Sequence, residues 1–227
     1  MSEQGPTGYA VWTVLRRDPL TAQGFGGRGA AGTESLAEAI AAVEAGDVVV
    51  RGLYDVSAMR ADADLMLWLH GPSAEGLQAA VRRLRRSTEL APLALSWSAM
   101  GVHRDAEFNK SHVPGFLRGE PARGWLCVYP FVRSYDWYVL PEQDRRAMLA
   151  EHGRKGAAFR SVIANTVSAF ALNDYEWLLP LESDELIDLV DLMRDLRATR
   201  ARLHVREEVP FYTGRRIAAD EVAEVLA

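Results

Sequence analysis

Residues 62–87, DADLMLWLHGPSAEGLQAAVRRLRRS, and residues 173–198, NDYEWLLPLESDELIDLVDLMRDLRA, spell one pattern twice. A duplication displaced by about 110 residues constrains the fold more than any local propensity, because the chain must then hold two copies of one supersecondary unit. Each copy is an apolar strand, a small polar residue and an amphipathic helix. In the first, ADLMLWLHG ends at Gly71-Pro72, Ser73 caps the helix, and Leu77, Ala80, Val81 and Leu84 share a face. In the second, YEWLLPLES runs into Ser183, with Asp184 and Glu185 in the first helical turn. Leu186, Leu189, Val190, Met193 and Leu196 then make the inner face.

The flanking segments complete both copies. In residues 1–100, YAVWTVLR (9–16) is a strand, and Thr33 caps a helix with Leu36, Ile40 and Val43 inward and Gly46 as its stop. VVVRGLYDV (48–56) and PLALSWSA (92–99) supply the other strands. In residues 121–227, GWLCVYPF, a helix started by Pro141, VIANTVSAFAL and ARLHVREEV do the same. The order βαββαβ is the split βαβ of a ferredoxin-like fold. The expected class is therefore α+β, two ferredoxin-like units forming a dimeric α+β barrel within one chain. Residues 101–120 join them as a loop without a period, and a loop of that length in a compact fold is usually functional or disordered.

With 227 residues, 48% of them hydrophobic, the chain has enough apolar surface for a substantial core. A net charge of −5 gives no bulk attraction for nucleic acid or an anionic membrane. The start, MSEQGPTGYA, lacks a basic and then apolar leader, and no apolar run approaches the roughly 20 residues of a membrane span. The single cysteine, Cys127, excludes an internal disulfide, a cysteine-built zinc site and the C-x-x-C-H attachment of a c-type haem. A cytoplasmic protein is expected.

Two motifs read as bland. GFGGRG (24–29) has the letters of a dinucleotide fingerprint, but the strand before it ends near Arg16 and the helix starts only at Thr33. It is taken as a glycine-rich loop. Arg82, Arg83, Arg85 and Arg86 lie mostly off the apolar face of their helix and read as a solvated surface.

His152 is different. On a helical projection Met148, Phe159, His152, Ile163, Gly156 and Leu149 fall within one stripe, which points an imidazole inward beside Gly153 and Gly156. A histidine there is either a buried polar core residue or a ligand. Glycine lets a flat body lie close to the backbone, and neutral imidazole is a common iron or zinc ligand. Zinc needs further ligands nearby, and no His-x-x-x-His or Glu-x-x-His pair accompanies His152. Haem brings four nitrogens and asks for one, the better match. WLCVYPFVRSYDWYV packs Trp125, Tyr129, Tyr135, Trp137 and Tyr138 together, either as strand aromatics or with a redox-active phenol among them. His112 sits beside Lys110 and Ser111 on the irregular loop, where a histidine is usually just exposed.

The ordered set SHVPGFLRG, CVYPFVRSYDWYVLP, EHGRKG, ANTVSAFALNDYEWLL and LHVREEVPFYTGR resembles the coproheme decarboxylases, peroxide-dependent members of the chlorite dismutase-like haem family, in their actinobacterial-type branch. The resemblance covers most of the second half; the first half is similar mainly in architecture. It implies peroxide-dependent decarboxylation of two propionates of coproheme (iron-coproporphyrin III) to give haem b, with coproheme both substrate and cofactor and hydrogen peroxide the oxidant. It implies His152 as proximal iron ligand, Tyr129 as catalytic radical tyrosine and His112 as distal base. Arg133 would engage a propionate and Trp137 border the reactive one, with Met148, Gly156 and Asn165 completing the cofactor-binding set. Chlorite-degrading members carry an arginine thirteen residues after the proximal histidine, where this chain has Asn165. The resemblance further implies a homopentamer and a transient contact with a ferrochelatase. The alternatives are a chlorite dismutase or dye-decolourising type of haem peroxidase, and a non-catalytic haem-binding α+β-barrel protein.

Overall fold

The computed structural model describes residues 8–17, 34–104 and 113–227. Thr33, the glycine-rich stretch 24–29 and His112 lie outside the described residues. The described chain divides into two units, one of residues His103–Thr213 and one in which residues 8–102 are joined by Gly214–Ala227. The second of these draws in a C-terminal segment that the halves drawn on the sequence placed elsewhere.

The N-terminal unit contains β1 (Tyr9–Arg16), α1 (Leu36–Glu44), β2 (Val49–Asp55), β3 (Leu65–Gly71), α2 (Ala74–Leu84) and β4 (Ala94–Val102). Its strands pair antiparallel in the order β4–β1–β3–β2, with Val11 opposite Leu69 and Leu15 opposite Leu65. The later half of β10 (Tyr212–Ile217) adds to β2, and α5 (Val222–Val225) closes the unit. Alternation along the strands puts Val11, Leu15, Leu65, Leu67 and Leu69 on one face, where they pack with Leu36, Ala39 and Val43 of α1 and Leu77, Ala80 and Leu84 of α2. The cap of α1 is Ser35. Its hydroxyl accepts from Glu38 N–H at 3.3 Å while the Glu38 carboxylate accepts from Ser35 N–H at 2.9 Å, a reciprocal capping box. Ser73 caps α2 as expected, accepting from Gly76 N–H at 3.2 Å.

The other unit runs β5 (Trp125–Arg133), α3 (Glu142–Gly156), β6 (Ile163–Ala164), β7 (Val167–Ser168), β8 (Trp177–Ser183), α4 (Leu186–Leu196) and β9 (Val205–Glu207). β5 pairs with β8 and β9, and β8 pairs with β6 and β7, so the strand order repeats that of the first unit. β8 and α4 begin at 177 and 186 where β3 and α2 begin at 65 and 74, a displacement of 112 in both cases.

The expected strand through VIANTVSAFAL is instead two short pieces. Their register against β8 is continuous, Ile163 opposite Glu182 and Val167 opposite Leu178, which sets Asn165 against Pro180. Asn165 N–H donates to Pro180 C=O at 2.9 Å, but proline has no N–H to return, and the ladder lapses there. α4 also differs in detail. Ser183 ends β8, and its hydroxyl accepts from Glu185 N–H at 3.2 Å. Leu186, Leu189, Met193 and Leu196 pack on the core as expected, but Leu192 is buried with them while Val190 is 45% exposed, so the inner face is turned slightly from the one expected. Cys127, Tyr129, Leu181, Leu189 and Leu192 form one core cluster of this unit. Among the described residues no helix is long and apolar enough to cross a membrane.

Candidate active site

One cavity of about 240 Å³ lies wholly within the unit of His103–Thr213. Its floor is built by strand alternation. Tyr129, Phe131 and Arg133 project from the same face of β5, and Leu179 and Trp177 of β8 stand directly opposite Tyr129 and Phe131. The 3-10 turn Trp137–Val139 carries Trp137 to one wall. Leu149 and His152 come from α3, one turn apart. Another wall is made by the end of α4 and the chain running from it through β9, with Met193, Leu196, Arg197, Thr199, Arg202 and Glu208.

Tyr129 is 3% exposed and stacks on Phe211, ring centroids 4.4 Å apart and planes 18° apart. Burial, reinforced by the charge of Glu208, pushes its phenol far above the ordinary value, so it keeps its proton at neutral pH. Arg133 lies over Trp137, 4.0 Å from the ring centroid, with Phe131 4.7 Å away. Burial draws its guanidinium down to about 10, opposed by Tyr138 and Glu176, which leaves it cationic at neutral pH. Trp137 is 1% exposed.

His152 is half-buried, and burial together with the positive charge of Arg133 lowers its pKa, favouring the neutral imidazole that a metal requires. Its Nδ1 is 3.4 Å from Thr199 Oγ1. Beside it Glu151 accepts from Arg200 Nε at 3.1 Å, and Lys155 donates to Asp195 Oδ1 at 3.1 Å, so α3 is pinned to the end of α4 and the residues beyond it on both sides of the histidine. Glu208 forms ion pairs with both Arg197 and Arg202.

Of the residues singled out on the sequence, the structure brings Tyr129, Arg133, Trp137 and His152 together at one cavity. Three others are placed elsewhere. Met148 is buried against Trp137 and Ala201 and is absent from the cavity lining. Gly156 is the last residue of α3 and does not line the cavity, and a Cβ there or at Gly153 would meet open space, with no protein atom within 4 Å. The stripe that placed Gly156 inward ran past the helix end, since Phe159 and Ile163 are not part of α3. Asn165 is fully buried and spends its amide on protein. Oδ1 accepts from Phe116 N–H at 2.9 Å and Nδ2 donates to Glu182 Oε1 at 2.9 Å. Gly115, next to Phe116, has no room for a Cβ, which would stand 2.4 Å from Ile163 Cγ2. Sequence reasoning missed Arg197, Arg202 and Thr199. The signal was a run of arginines between α4 and β9, which by itself reads as a solvated helix end.

The sequence matches the family model described as chlorite dismutase over residues 30–217. It is 56% identical over 176 residues, 77% of this chain and 76% of the relative, to the coproheme decarboxylase of Mycolicibacterium smegmatis. In fold it is similar to the chlorite dismutase of Candidatus Nitrospira defluvii in complex with imidazole, with a TM-score of 0.77 at 19% identity, over 98% of this chain and 95% of that one. A variant of that enzyme in complex with cyanide is similar at a TM-score of 0.77. The α+β fold expected from the duplication is that of these structures.

Proposed function

The chain belongs to the chlorite dismutase family, and from that premise we infer that it is a coproheme decarboxylase in which the cavity of Tyr129, Arg133, Trp137 and His152 is the reaction chamber. The observation that carries this reading is the meeting of one inward imidazole and one buried, protonated phenol at a single cavity. The donor set suits iron-coproporphyrin III. Among the described residues no group of three or more His, Cys, Asp or Glu could enclose a metal ion, so a lone imidazole matches a metal that arrives already held by four nitrogens. Three lining arginines, Arg133, Arg197 and Arg202, stand against one lining carboxylate, Glu208, and this excess of positive charge suits a substrate rich in carboxylates.

When bound, the iron porphyrin, with hydrogen peroxide, supplies the oxidising chemistry and is also what is consumed. His152 would hold it through a ring nitrogen. Arg133, cationic and braced on Trp137, orients a propionate toward Tyr129. Tyr129 Oη gives up an electron and its proton, then takes a hydrogen atom from the propionate β-carbon. Loss of one further electron releases CO₂ and leaves a vinyl group. Each propionate thus yields two electrons, which one peroxide takes up as it becomes water, and a second round gives haem b. His112, assigned on its motif alone, would accept and return the peroxide proton. Leu149, Leu179 and Trp177 give the cavity apolar walls, which disfavour water beside the phenol. The family reading extends to a cytoplasmic homopentamer and a transient ferrochelatase contact, which sedimentation and pull-down of the full chain would test.

Tyr129→Phe tests the assignment. The ring keeps its stack on Phe211, and stability should change by about 1 kcal/mol. The variant should bind coproheme and, on titration with peroxide, show no loss of CO₂ by mass spectrometry of the porphyrin. Full conversion to haem b would remove Tyr129 from the reaction.

A further inference from the structure

We propose that Thr199 is the positioning residue of His152, holding the ring in the tautomer that presents the Nε2 lone pair. The proposal rests on the reading of His152 as iron ligand. A hydroxyl has one proton, and that of Thr199 is given to Leu196 C=O at 2.8 Å, at the end of α4. Toward His152 Nδ1, 3.4 Å away, Thr199 Oγ1 therefore acts only as an acceptor. Nδ1 carries the proton of the neutral ring, and Nε2 is left with a free lone pair.

The neighbouring acids are otherwise engaged. Glu208 is held by Arg197 and Arg202, and Glu151 by Arg200. Thr199 itself is buried and β-branched, so its hydroxyl stays where the α4 terminus fixes it. The Glu151–Arg200 pair joins the residues next to His152 and Thr199, and so holds donor and acceptor facing each other. An outer partner of this kind sets the tautomer and plane of a ligating histidine, and its loss typically costs about 10- to 100-fold in metal affinity.

The test reads the ring directly. In ¹⁵N-labelled full-length apoprotein, long-range ¹H–¹⁵N correlation of the neutral His152 ring, assigned by its loss in His152→Ala, should show a protonated Nδ1 and an unprotonated Nε2. Thr199→Val, similar in shape but without the hydroxyl, should shift the ring toward Nε2–H and weaken coproheme binding about tenfold. Thr199→Ser should restore both. A wild-type ring protonated on Nε2, or a Thr199→Val ring with an unchanged tautomer ratio, would overturn the proposal. The ligand reading fails separately, through a coproheme Soret band that is the same in His152→Ala as in the wild type.

Discussion

At the scale of single residues, Arg133 shows how burial and charge are combined. A guanidinium loses hydration on entering an apolar cavity, and here it recovers part of that cost from the faces of Trp137 and Phe131. The flat, weakly hydrated group suits such stacking better than an ammonium would. Arg133→Ala is expected to raise the Kd for coproheme about ten- to a hundredfold, as befits one charge-assisted hydrogen bond. Haem b, with fewer carboxylates, should lose less, and Arg133→Lys should fall between. Soret titrations of both ligands check this; equal losses would speak against a propionate contact. Cys127 marks the contrast. It is buried, its thiol pushed up to about 11, and it packs in the same core cluster as Tyr129 without the thiolate that reactivity requires.

At the scale of elements, the interruption between β6 and β7 organises one edge of the unit. Pro180 breaks the ladder, and Asn165, released from regular pairing, ties the turn at Gly115–Leu117 to β8 through Phe116 N–H and Glu182. These bonds are fully buried, and each group left without its partner costs about 1–3 kcal/mol. Asn165→Ala should therefore lower unfolding free energy by about 2–4 kcal/mol in urea titrations at pH 7, while the folded fraction keeps its affinity for coproheme. Unchanged stability with lost affinity would instead return Asn165 to the ligand-binding set in which the sequence placed it. The lesson extends to α3. Its glycines suggested space for a flat ligand, and Gly156 stands at the last position of the helix, outside the cavity lining, with open space where a Cβ would be.

At the scale of the whole molecule, the two copies of the pattern have diverged. One builds the cavity; the other places a histidine, His70 of β3, where burial, aided by the positive charge of Arg51, lowers its pKa to about 4. The unfolded chain protonates the same ring near 6.5. Between those values the unfolded state binds more protons, so stability falls as pH drops through that window and is unaffected above it. The contribution amounts to about 3 kcal/mol at full extent. His70→Asn should flatten the pH dependence of urea unfolding between pH 7 and 4.5 by about 2–3 kcal/mol relative to the wild type. Parallel curves for the two proteins would show that His70 is not the group responsible.

The sequence by itself determined the duplicated βαββαβ order and the helical faces of α1 and α2. These are legible because side-chain direction repeats every two residues in a strand and every 3.6 in a helix, so each position depends on near neighbours. Tyr129, Phe131 and Arg133 share a face for that reason alone. As site residues, however, Tyr129, Arg133 and Trp137 were named by the family resemblance, and His152 by that resemblance together with its helical stripe. Other features are fixed by partners far along the chain. The lapse at Asn165 depends on Pro180 standing opposite, and the tautomer of His152 on a hydroxyl 47 residues away. The joining of Arg197 and Arg202 through Glu208 depends on β9 returning past the end of α4. Tertiary structure decided these, because a hydrogen bond or an ion pair is set by distance in space, and no period in the sequence encodes it.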